Sequence, residues 1–487
     1  MVVNSLNFLL FFSIVFVVYY LPVCRNNSKV RNTWLFLSSY FFYGVADWKM
    51  IPLLLGATGV FYALGLWLKN EMQKGHSKAA SRITTFGVVL GIGVLLYFKY
   101  LNFFADSFAA LLSSIGLNVT WTTLNIVLPI GVSFFTFKLI SYVIEIHREH
   151  VEPCLDFIHF GTYIAFFPTI LSGPIDRPNN LIPQLEGVKE FDYKLAVDGC
   201  RQILWGMFTK MCIADNLVKI TDSAWGEISS QSASTLVFAA LAYFVQMYAD
   251  FDGYSNMAIG VGKLLGIRVT RNFNHPFLAR NTAEYWRRWH MSLTSWITDY
   301  IFMPLNIAFR DRGNFGICLA CIINLVVIGF WHGANWTFGL FGLYHGLLFI
   351  PLVYSGAFAK NKKIRPNSYN LPKFVDFMKM AGTFILVAFG LIIFRADSVG
   401  DAFSYVSGMF STSIISKPTI SLGFVELLFV FIATLILFIT EWRCRDKEYA
   451  LQVVSSKSFI RWSIYVVLAL CVFTMSGDQV QFIYFQF

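Results

Sequence analysis

The sequence predicts an all-α integral membrane protein, with about ten to twelve transmembrane or re-entrant helices around a central chamber. Two observations predict this fold class. Of the 487 residues, 56% are hydrophobic and 14% are charged, and the mean hydropathy is +0.59, so a soluble fold would need an implausibly large core. Apolar runs of roughly 20 residues, enough to cross a bilayer, recur from end to end. We therefore expect one polytopic domain over residues 1–487, with the lipid bilayer around it.

Residues 1–150 are predicted to form the N-terminal helices. The first apolar run, residues 6–21, has no basic region before it and no small-residue cleavage site, so we expect a span rather than a signal peptide. The net charge is +10, and the basic residues lie largely in short loops, where they set the orientation of the protein in the membrane. No nucleic-acid partner is therefore expected. The positive-inside rule makes the N-terminus external, with cytoplasmic loops at 25–31, 69–82 and 147–150 and external loops at 47–50 and 106–120.

Residues 151–350 are predicted to form a core of broken helices that encloses the chamber. Short apolar pieces alternate here with helix-breaking residues. Backbone that is not helical at membrane depth survives only where protein or a water-filled cavity satisfies its polar groups. Such cavities are where membrane proteins carry out chemistry. The interruptions lie at Pro168, Gly173, Pro174, Gly253, Pro276 and Pro304.

Residues 351–475 return to regular helices, with spans near Phe384 and Phe431 and a last span at about 462–475. Basic loops before Phe384 and after Phe431 are expected to be cytoplasmic. This places the aromatic tail, residues 476–487, on the external side.

The tail ends in the aromatic run 482–487. Aromatic residues at this position suit a plain interfacial anchor. Alternatively, the tail bends back into the chamber and brings the hydroxyl of Tyr484 to the chemistry, which makes Tyr484 a catalytic candidate.

Charged residues inside apolar segments are costly, roughly 2.5 to 3.5 kcal/mol at mid-membrane, so each is a candidate site residue. The first group lies at 246–255, where Asp250 and Asp252 end an apolar run that Gly253 is expected to break. These acids either terminate a helix at the interface or, together with Tyr248, bind substrate.

In the second group, residues 284–293, Arg287 and Arg288 stand among tryptophans, and His290 follows. Trp at headgroup depth with Arg directed to phosphates describes an interfacial anchor, but an anchor does not account for His290. The two arginines are also candidates for binding the phosphates of an anionic substrate.

The third group, residues 329–336, contains Trp331, His332 and Asn335, and the next apolar run carries His345. A neutral imidazole in a membrane needs a partner and titrates near neutrality, which suits a general base. A single histidine on an apolar face is also commonly structural, and the residues alone leave both alternatives open. His332 is the catalytic candidate, with Trp331, Asn335 and His345 as substrate-binding candidates.

These groups resemble the membrane-bound O-acyltransferase (MBOAT) superfamily, in particular its bacterial branch of alginate O-acetylation and teichoic-acid D-alanylation membrane proteins. The resemblance covers most of the chain, and the order and spacing of six motifs make it specific. The matching segments lie at 128–134, 166–168 with 173–174, 246–253, 285–293, 331–333 and 394–396.

The resemblance implies an O-acyltransferase in which His332 and His290 are the two signature histidines. His332 would take the proton from an acceptor hydroxyl as it attacks a thioester carbonyl, while His290 orients or polarises from the other side of the chamber. No metal and no tightly bound cofactor are implied. The donor would be acetyl-CoA or another acyl thioester, carried by coenzyme A or an acyl carrier protein on the cytoplasmic side.

The resemblance also implies a bacterial cytoplasmic-membrane enzyme that sends a short acyl group, expected to be acetyl, outward to a polysaccharide. The F-x-Y-x-x-F pattern of the tail is similar to the tyrosine motif of the small partner protein in teichoic-acid D-alanylation. Tyr484 would then relay the acyl group to an extracytoplasmic SGNH-type partner. The alternative from another class is a transporter or flippase for a lipid-linked sugar, which also needs broken helices and midplane polar residues.

Overall fold

The structure is a computed structural model that describes residues 2–117, 126–359, 364, 366–452, 457–478 and 480–483. All regular elements in these ranges are helical, so the all-α prediction is confirmed. Within the same ranges, seven segments are long and apolar enough to cross a membrane, and two shorter apolar helices are Leu6–Tyr19 and Ser458–Thr474. The count of ten to twelve transmembrane or re-entrant helices stays a prediction.

The chain divides into two compact units, and the first comprises Met1–Cys200 and Ala258–Thr270. A helix is present where the first span was predicted, and a 3₁₀ turn, Trp48–Met50, lies where a turn was predicted. Residues 106–114, expected in an external loop, are helical instead, because the helix that begins at Ser77 continues through a π-helical turn at Leu96–Tyr100. The helices are α1 (Leu6–Tyr19), α2 (Pro22–Asn26), α3 (Ser28–Asp47), α4 (Ile51–Gln73), α5 (Ser77–Leu95), α6 (Leu101–Ser114), α7 (Val132–His147), α8 (Phe157–Ala165) and α9 (Pro178–Leu181).

Polar side chains replace the helical hydrogen bonds that irregular segments of the first unit lack. Buried Lys138 donates to the Tyr163 carbonyl oxygen at 3.3 Å and to Thr169 Oγ1 at 3.0 Å. Arg31, also buried, donates to the Leu185 carbonyl oxygen at 2.7 Å. Because buried backbone groups must be paired, these contacts allow the chain around α9 to stay inside the protein.

The second unit comprises Arg201–Met257 and Arg271–Phe487. Its long helices expose large apolar side chains, such as Phe431 at 64% and Phe473 at 89%, as expected of surfaces that face lipid. Helices α10 and α12 contribute residues to both units. The remaining helices are α10 (Tyr193–Met207), α11 (Asp215–Gly226), α12 (Ala233–Leu264), α13 (Thr282–Trp286), α14 (Met291–Ile297), α15 (Met303–Ala308), α16 (Gly313–His332), α17 (Trp336–Tyr354), α18 (Phe374–Arg395), α19 (Val399–Gly408), α20 (Phe424–Arg443) and α21 (Ser458–Thr474).

The prediction of broken helices is wrong at Gly253 and Pro304. Helix α12 continues unbroken through Gly253, whose role is close packing: a Cβ there would lie 2.8 Å from the Gly206 carbonyl oxygen. Pro304 lies in the first turn of α15, directly after the π-helical turn Thr298–Phe302. The helix therefore changes type at this point rather than ending, because the wider π-helical turn accommodates the hydrogen bond that a proline cannot donate.

The other predicted interruptions are present. The chain is irregular around Pro168 and Pro174, between α8 and α9, and Pro276 begins a 3₁₀ turn after α12. The sequence boundaries at 150, 350 and 475 stay predictions.

Candidate active site

His332 is the last residue of α16, and a short turn leads from it into α17. Asn335 caps α17, because its side-chain oxygen accepts the Thr337 N–H at 3.1 Å. The two helices approach closely at glycine: a Cβ on Gly329 would collide with the Phe338 carbonyl oxygen. This helical hairpin therefore fixes the position of His332 through backbone contacts.

The His332 ring is buried among aromatic side chains, with 4% of the residue exposed. Its centroid lies 4.9 Å from that of Trp331 and 5.0 Å from that of Phe394. Both partners meet the imidazole nearly at right angles, an arrangement that aromatic pairs favour. The aromatic wall holds the imidazole in one orientation.

His290 lies on the same aromatic cluster. Its fully buried ring is 4.6 Å from Phe251 and 5.5 Å from Trp331, so Trp331 contacts both predicted histidines. His290 has a φ of 44°, in the left-handed region that residues other than glycine rarely adopt. Such conformations cluster at functional sites. Burial lowers the pKa of His290 to about 3, so the imidazole is neutral near pH 7.

A polar cavity of about 320 Å³ lies beside the His332 cluster. Phe394, whose ring contacts His332, and Asn335, three residues after His332, form part of its wall. Three C-terminal residues, Val480, Gln481 and Ile483, form another part of the wall. The charged residues that line it are Lys210, Asp222, Asp250, Arg395 and Asp397.

The three candidates on α12 point to two different places. Asp250 faces the polar cavity and lies 2.5 Å from Lys210 Nζ. Tyr248 instead donates to Glu441 Oε1 at 2.6 Å, and Asp252 accepts from Asn256 at 2.8 Å. Residues four apart share a helix face and residues two apart lie about 200° around it, which separates Asp250 from the other two.

Arg287 and Arg288 also differ in their surroundings. Arg288 pairs with Glu284 at 2.9 Å, and Glu284 pairs with Arg280 at 3.1 Å. Burial raises the pKa of Glu284, but the Arg280 hydrogen bond and the Arg288 charge lower it by more, so this carboxylate stays ionised. Arg287 lines a second, mostly apolar cavity of about 380 Å³, together with Asn324.

His345 is fully buried within α17. Trp286 Nε1–H donates to its Nδ1 at 3.4 Å, and the Phe341 ring lies 4.7 Å away. Phe341 also lies 6.4 Å from the His332 ring. The Phe341 ring thus contacts both histidines, and no direct contact of His345 with the His332 ring is needed to link them.

The start of the predicted tail is held inside the second unit. Phe482 is fully buried, and its ring stacks 4.7 Å from Tyr254. The Ile483 N–H donates to Asp250 Oδ2 at 2.9 Å. Tyr484 lies outside the described residues, so its role as a catalytic residue stays a prediction.

Sequence reasoning missed several buried titratable residues, four of which form close pairs in the second unit. Lys210 and Asp215 cluster with Asp250, and His275 Nδ1 lies 3.0 Å from Glu441 Oε1. The available signal was a charge within or beside an apolar run, which by itself does not reveal the partner. Among the described residues, no group of three His, Cys, Asp or Glu side chains is placed to hold a metal ion.

Two buried histidines that both contact Trp331, one of them packed on a wall residue of a polar cavity, suit acyl-transfer chemistry in an all-helical membrane fold, and comparison with known proteins identifies the class. The model of the MBOAT, membrane-bound O-acyltransferase family, matches residues 148–383. The chain belongs to this family: it is a multi-pass membrane protein and a membrane-bound O-acyltransferase. Family membership favours this class over the transporter or flippase alternative.

The relatives confirm the resemblance that the six motifs predicted. The chain is 35% identical over 413 residues to a probable alginate O-acetylase of Azotobacter vinelandii, covering 84% of this chain and 78% of that protein. It is 28% identical over 446 residues to a peptidoglycan O-acetyltransferase of Helicobacter pylori, covering 82% and 80%. It is 32% identical over 262 residues to a teichoic acid D-alanyltransferase of Streptococcus thermophilus, covering 51% and 60%.

Proposed function

We propose that the protein transfers an acetyl group from a cytoplasmic thioester to hydroxyl groups of an exported cell-envelope or secreted polysaccharide. Two of the relatives are named for O-acetylation, of alginate and of peptidoglycan, and the third for D-alanylation of teichoic acid. The observation that carries the proposal is the position of His332, beside a polar cavity into which the C-terminal residues extend.

His332 is the proposed general base. It removes the proton from the attacking hydroxyl as that oxygen bonds to the thioester carbonyl carbon, the C–S bond breaks, and the proton passes to the leaving thiolate. His290, neutral and in contact with Trp331, is suited to orient or polarise the thioester carbonyl.

Arg287 supports a donor that carries a phosphate. It lines a mostly apolar cavity of about 380 Å³, and an apolar pocket with a guanidinium group at its wall suits an acyl-pantetheine chain and its phosphate. Acetyl-CoA or an acyl carrier protein provides this chemistry, and no tightly bound cofactor is required.

Tyr484 is the proposed relay. Its hydroxyl oxygen accepts the acetyl group from the thioester as an ester, and a serine hydroxyl of an extracytoplasmic SGNH-type partner then displaces tyrosine and passes the group to the polysaccharide. The described chain lines the polar cavity up to Ile483, the residue before Tyr484. The loop charges support an external tail in a bacterial cytoplasmic membrane.

The test of this function is acetyl transfer by purified protein. His332→Gln should lower the release of free coenzyme A from labelled acetyl-CoA by about 10² to 10⁴-fold, the usual contribution of a general base. His76→Gln, at a side chain that is 59% exposed, should leave the rate unchanged. A wild-type rate in His332→Gln contradicts the assignment.

The relay has its own readout. Intact-protein mass spectrometry should find an acetyl adduct on the C-terminal peptide, and Tyr484→Phe should remove both the adduct and transfer to the polymer. Full transfer by Tyr484→Phe would leave the tail as an aromatic anchor.

A further inference from the structure

A buried ionic cluster lies where the C-terminal segment, residues 477–478 and 480–483, contacts the core of the second unit. Lys210 Nζ lies 2.7 Å from Asp215 Oδ1 and 2.5 Å from Asp250 Oδ1. The three side chains are only 4%, 1% and 5% exposed. Withdrawing three charged groups from water is costly, and hydrophobic residues of similar volume would commonly be as stable. Fold stability alone therefore explains this cluster poorly.

The C-terminal backbone completes the hydrogen bonding of this cluster. The Lys210 ammonium group, which forms ion pairs with Asp215 and Asp250, also donates a hydrogen bond to the Val480 carbonyl oxygen at 3.3 Å. The second oxygen of Asp250 accepts the Ile483 N–H at 2.9 Å. Without the segment, one charged donor and one charged acceptor would be left buried with a bond missing.

The contacts between the cluster and the C-terminal segment use backbone atoms of the segment. Two further contacts, at Gly477 and at Phe482, strengthen the attachment. Before the cluster, the Gly477 N–H donates to the Met211 carbonyl oxygen at 3.0 Å, and a Cβ on Gly477 would lie 2.8 Å from the Asp215 carbonyl carbon. Within the segment, Phe482 is fully buried and its ring stacks on Tyr254. These contacts hold Gly477 and residues 480–483 against the core of the second unit.

We propose that Lys210, Asp215 and Asp250 form a latch that grips the backbone of residues 480–483 and so positions Tyr484 for acyl relay. The latch rests on the proposed function only in this last step. Its three members are positioning residues, because they act through the segment. Hydrogen bonds to charged groups are stronger than neutral ones, which allows a short backbone segment to be held at the wall of a polar cavity.

The direct test is whether the segment is released when the latch is weakened. In a protein with Cys200→Ser and Cys471→Ser, which removes the two cysteines that are not buried, Ile483→Cys provides a buried reporter. A soluble maleimide should label this cysteine slowly. Adding Asp250→Asn should raise the labelling rate about tenfold or more, the effect of one charged hydrogen bond.

A matched control exists on the same segment. Asp478 is 90% exposed and lies 3.6 Å from Lys219, so this is a surface pair of little energetic value. Asp478→Asn makes the same chemical change and should leave the Ile483→Cys reporter protected. Rapid labelling in this control would show that loss of any acidic side chain nearby releases the segment. That result would overturn the proposed latch.

The kinetic test uses the full chain without the reporter. Asp250→Asn should lower kcat for acetyl transfer about tenfold or more while KM for acetyl-CoA stays unchanged, because donor binding is not touched. Ile483→Pro removes the N–H donor without altering the buried charges and should have the same effect, which keeps the test informative if Asp250→Asn does not fold.

The outcomes separate the latch from the relay. Slow labelling of the reporter with Asp250→Asn overturns the latch, whatever the activity of Tyr484→Phe. Rapid labelling with an unchanged kcat overturns the positioning role. Full transfer by Tyr484→Phe overturns the relay, while rapid labelling in the Asp250→Asn protein still supports a latch that holds residues 480–483.

Discussion

His275 is a buried imidazole whose protonation stabilises the second unit. Its Nδ1 lies 3.0 Å from Glu441 Oε1 and its Nε2 lies 3.0 Å from the Lys447 carbonyl oxygen. Burial lowers the pKa of His275, but the charge and hydrogen bond of Glu441 raise it by more, to above its ordinary value of about 6.5. The resulting stabilisation is fully present below about pH 6.5 and is lost as the pH rises through the folded-state pKa.

A melting curve as a function of pH tests this prediction. The unfolding temperature of the purified protein should fall as the pH is raised above about 6.5. His275→Gln should lose about 1.5 to 3 kcal/mol at pH 6, the value of a charged hydrogen bond, and should flatten the pH dependence. His76→Gln, at an exposed pair with Glu71, should change neither. An unaltered slope in His275→Gln would assign the pH dependence to other groups.

At the scale of single residues, the sequence revealed unusual residue types but not their partners. His332 and His290 could be found because a histidine in or beside an apolar run is conspicuous. Lys210 could not, because its significance depends on Asp250 and on Ile483, which is 233 residues from Asp250 in the chain. Local periodicity carries no information about contacts over such separations.

The α16–α17 hairpin is the element that carries His332, and its glycines set how closely the helices pack. A Cβ on Gly342 would collide with the Leu325 carbonyl oxygen, a backbone atom that cannot move aside. Gly382 in α18 has nothing within 4 Å of such a Cβ. The same substitution should therefore have opposite effects at the two positions.

Gly342→Ala is expected to destabilise the protein by about 1 to 3 kcal/mol, as overpacking does, and to lower acetyl transfer because His332 shifts. Gly382→Ala should stabilise it by up to about 1 kcal/mol, because alanine is the better helix former. Thermal unfolding and transfer rates of the two proteins, measured side by side, check this. Equal effects would mean that close packing does not set the hairpin geometry.

At the scale of elements, apolar runs were enough to place most helices, while helix breaks were not predictable from residue type. Gly253 was expected to break α12, yet α12 is continuous because this glycine faces the Gly206 backbone. A glycine that permits close helix contact and a glycine that ends a helix look the same in a sequence. Only the neighbouring helix distinguishes them.

For the whole molecule, composition was enough to predict a helical membrane protein, but not the number of crossings. Helices α8 and α13 are apolar in part and contain nine and five residues. At 1.5 Å per residue the longer is about 14 Å, well short of a bilayer core of about 30 Å. Segments of this kind raise a count based on hydropathy without adding crossings.

The orientation of the chain in the membrane follows from its loop charges. Trp48 and Lys74 flank α4, whose 23 residues give a length of about 35 Å, so they should emerge on opposite sides of the bilayer. The positive-inside rule places Lys74 in the cytoplasm and Trp48 outside. It also places Asp478 outside, on the side where an exported acyl group is needed.

Cysteine labelling in intact cells tests this orientation, in protein with Cys200→Ser and Cys471→Ser. A membrane-impermeant maleimide should label Trp48→Cys and Asp478→Cys in intact cells, but Lys74→Cys only after permeabilisation. The flanks of α4 serve as internal controls, because a helix that crosses the bilayer cannot place both on one side. If Asp478→Cys labels only together with Lys74→Cys, the tail lies on the cytoplasmic side. A relay from Tyr484 to an extracytoplasmic serine is then ruled out, and the acyl group must leave His332 by another route.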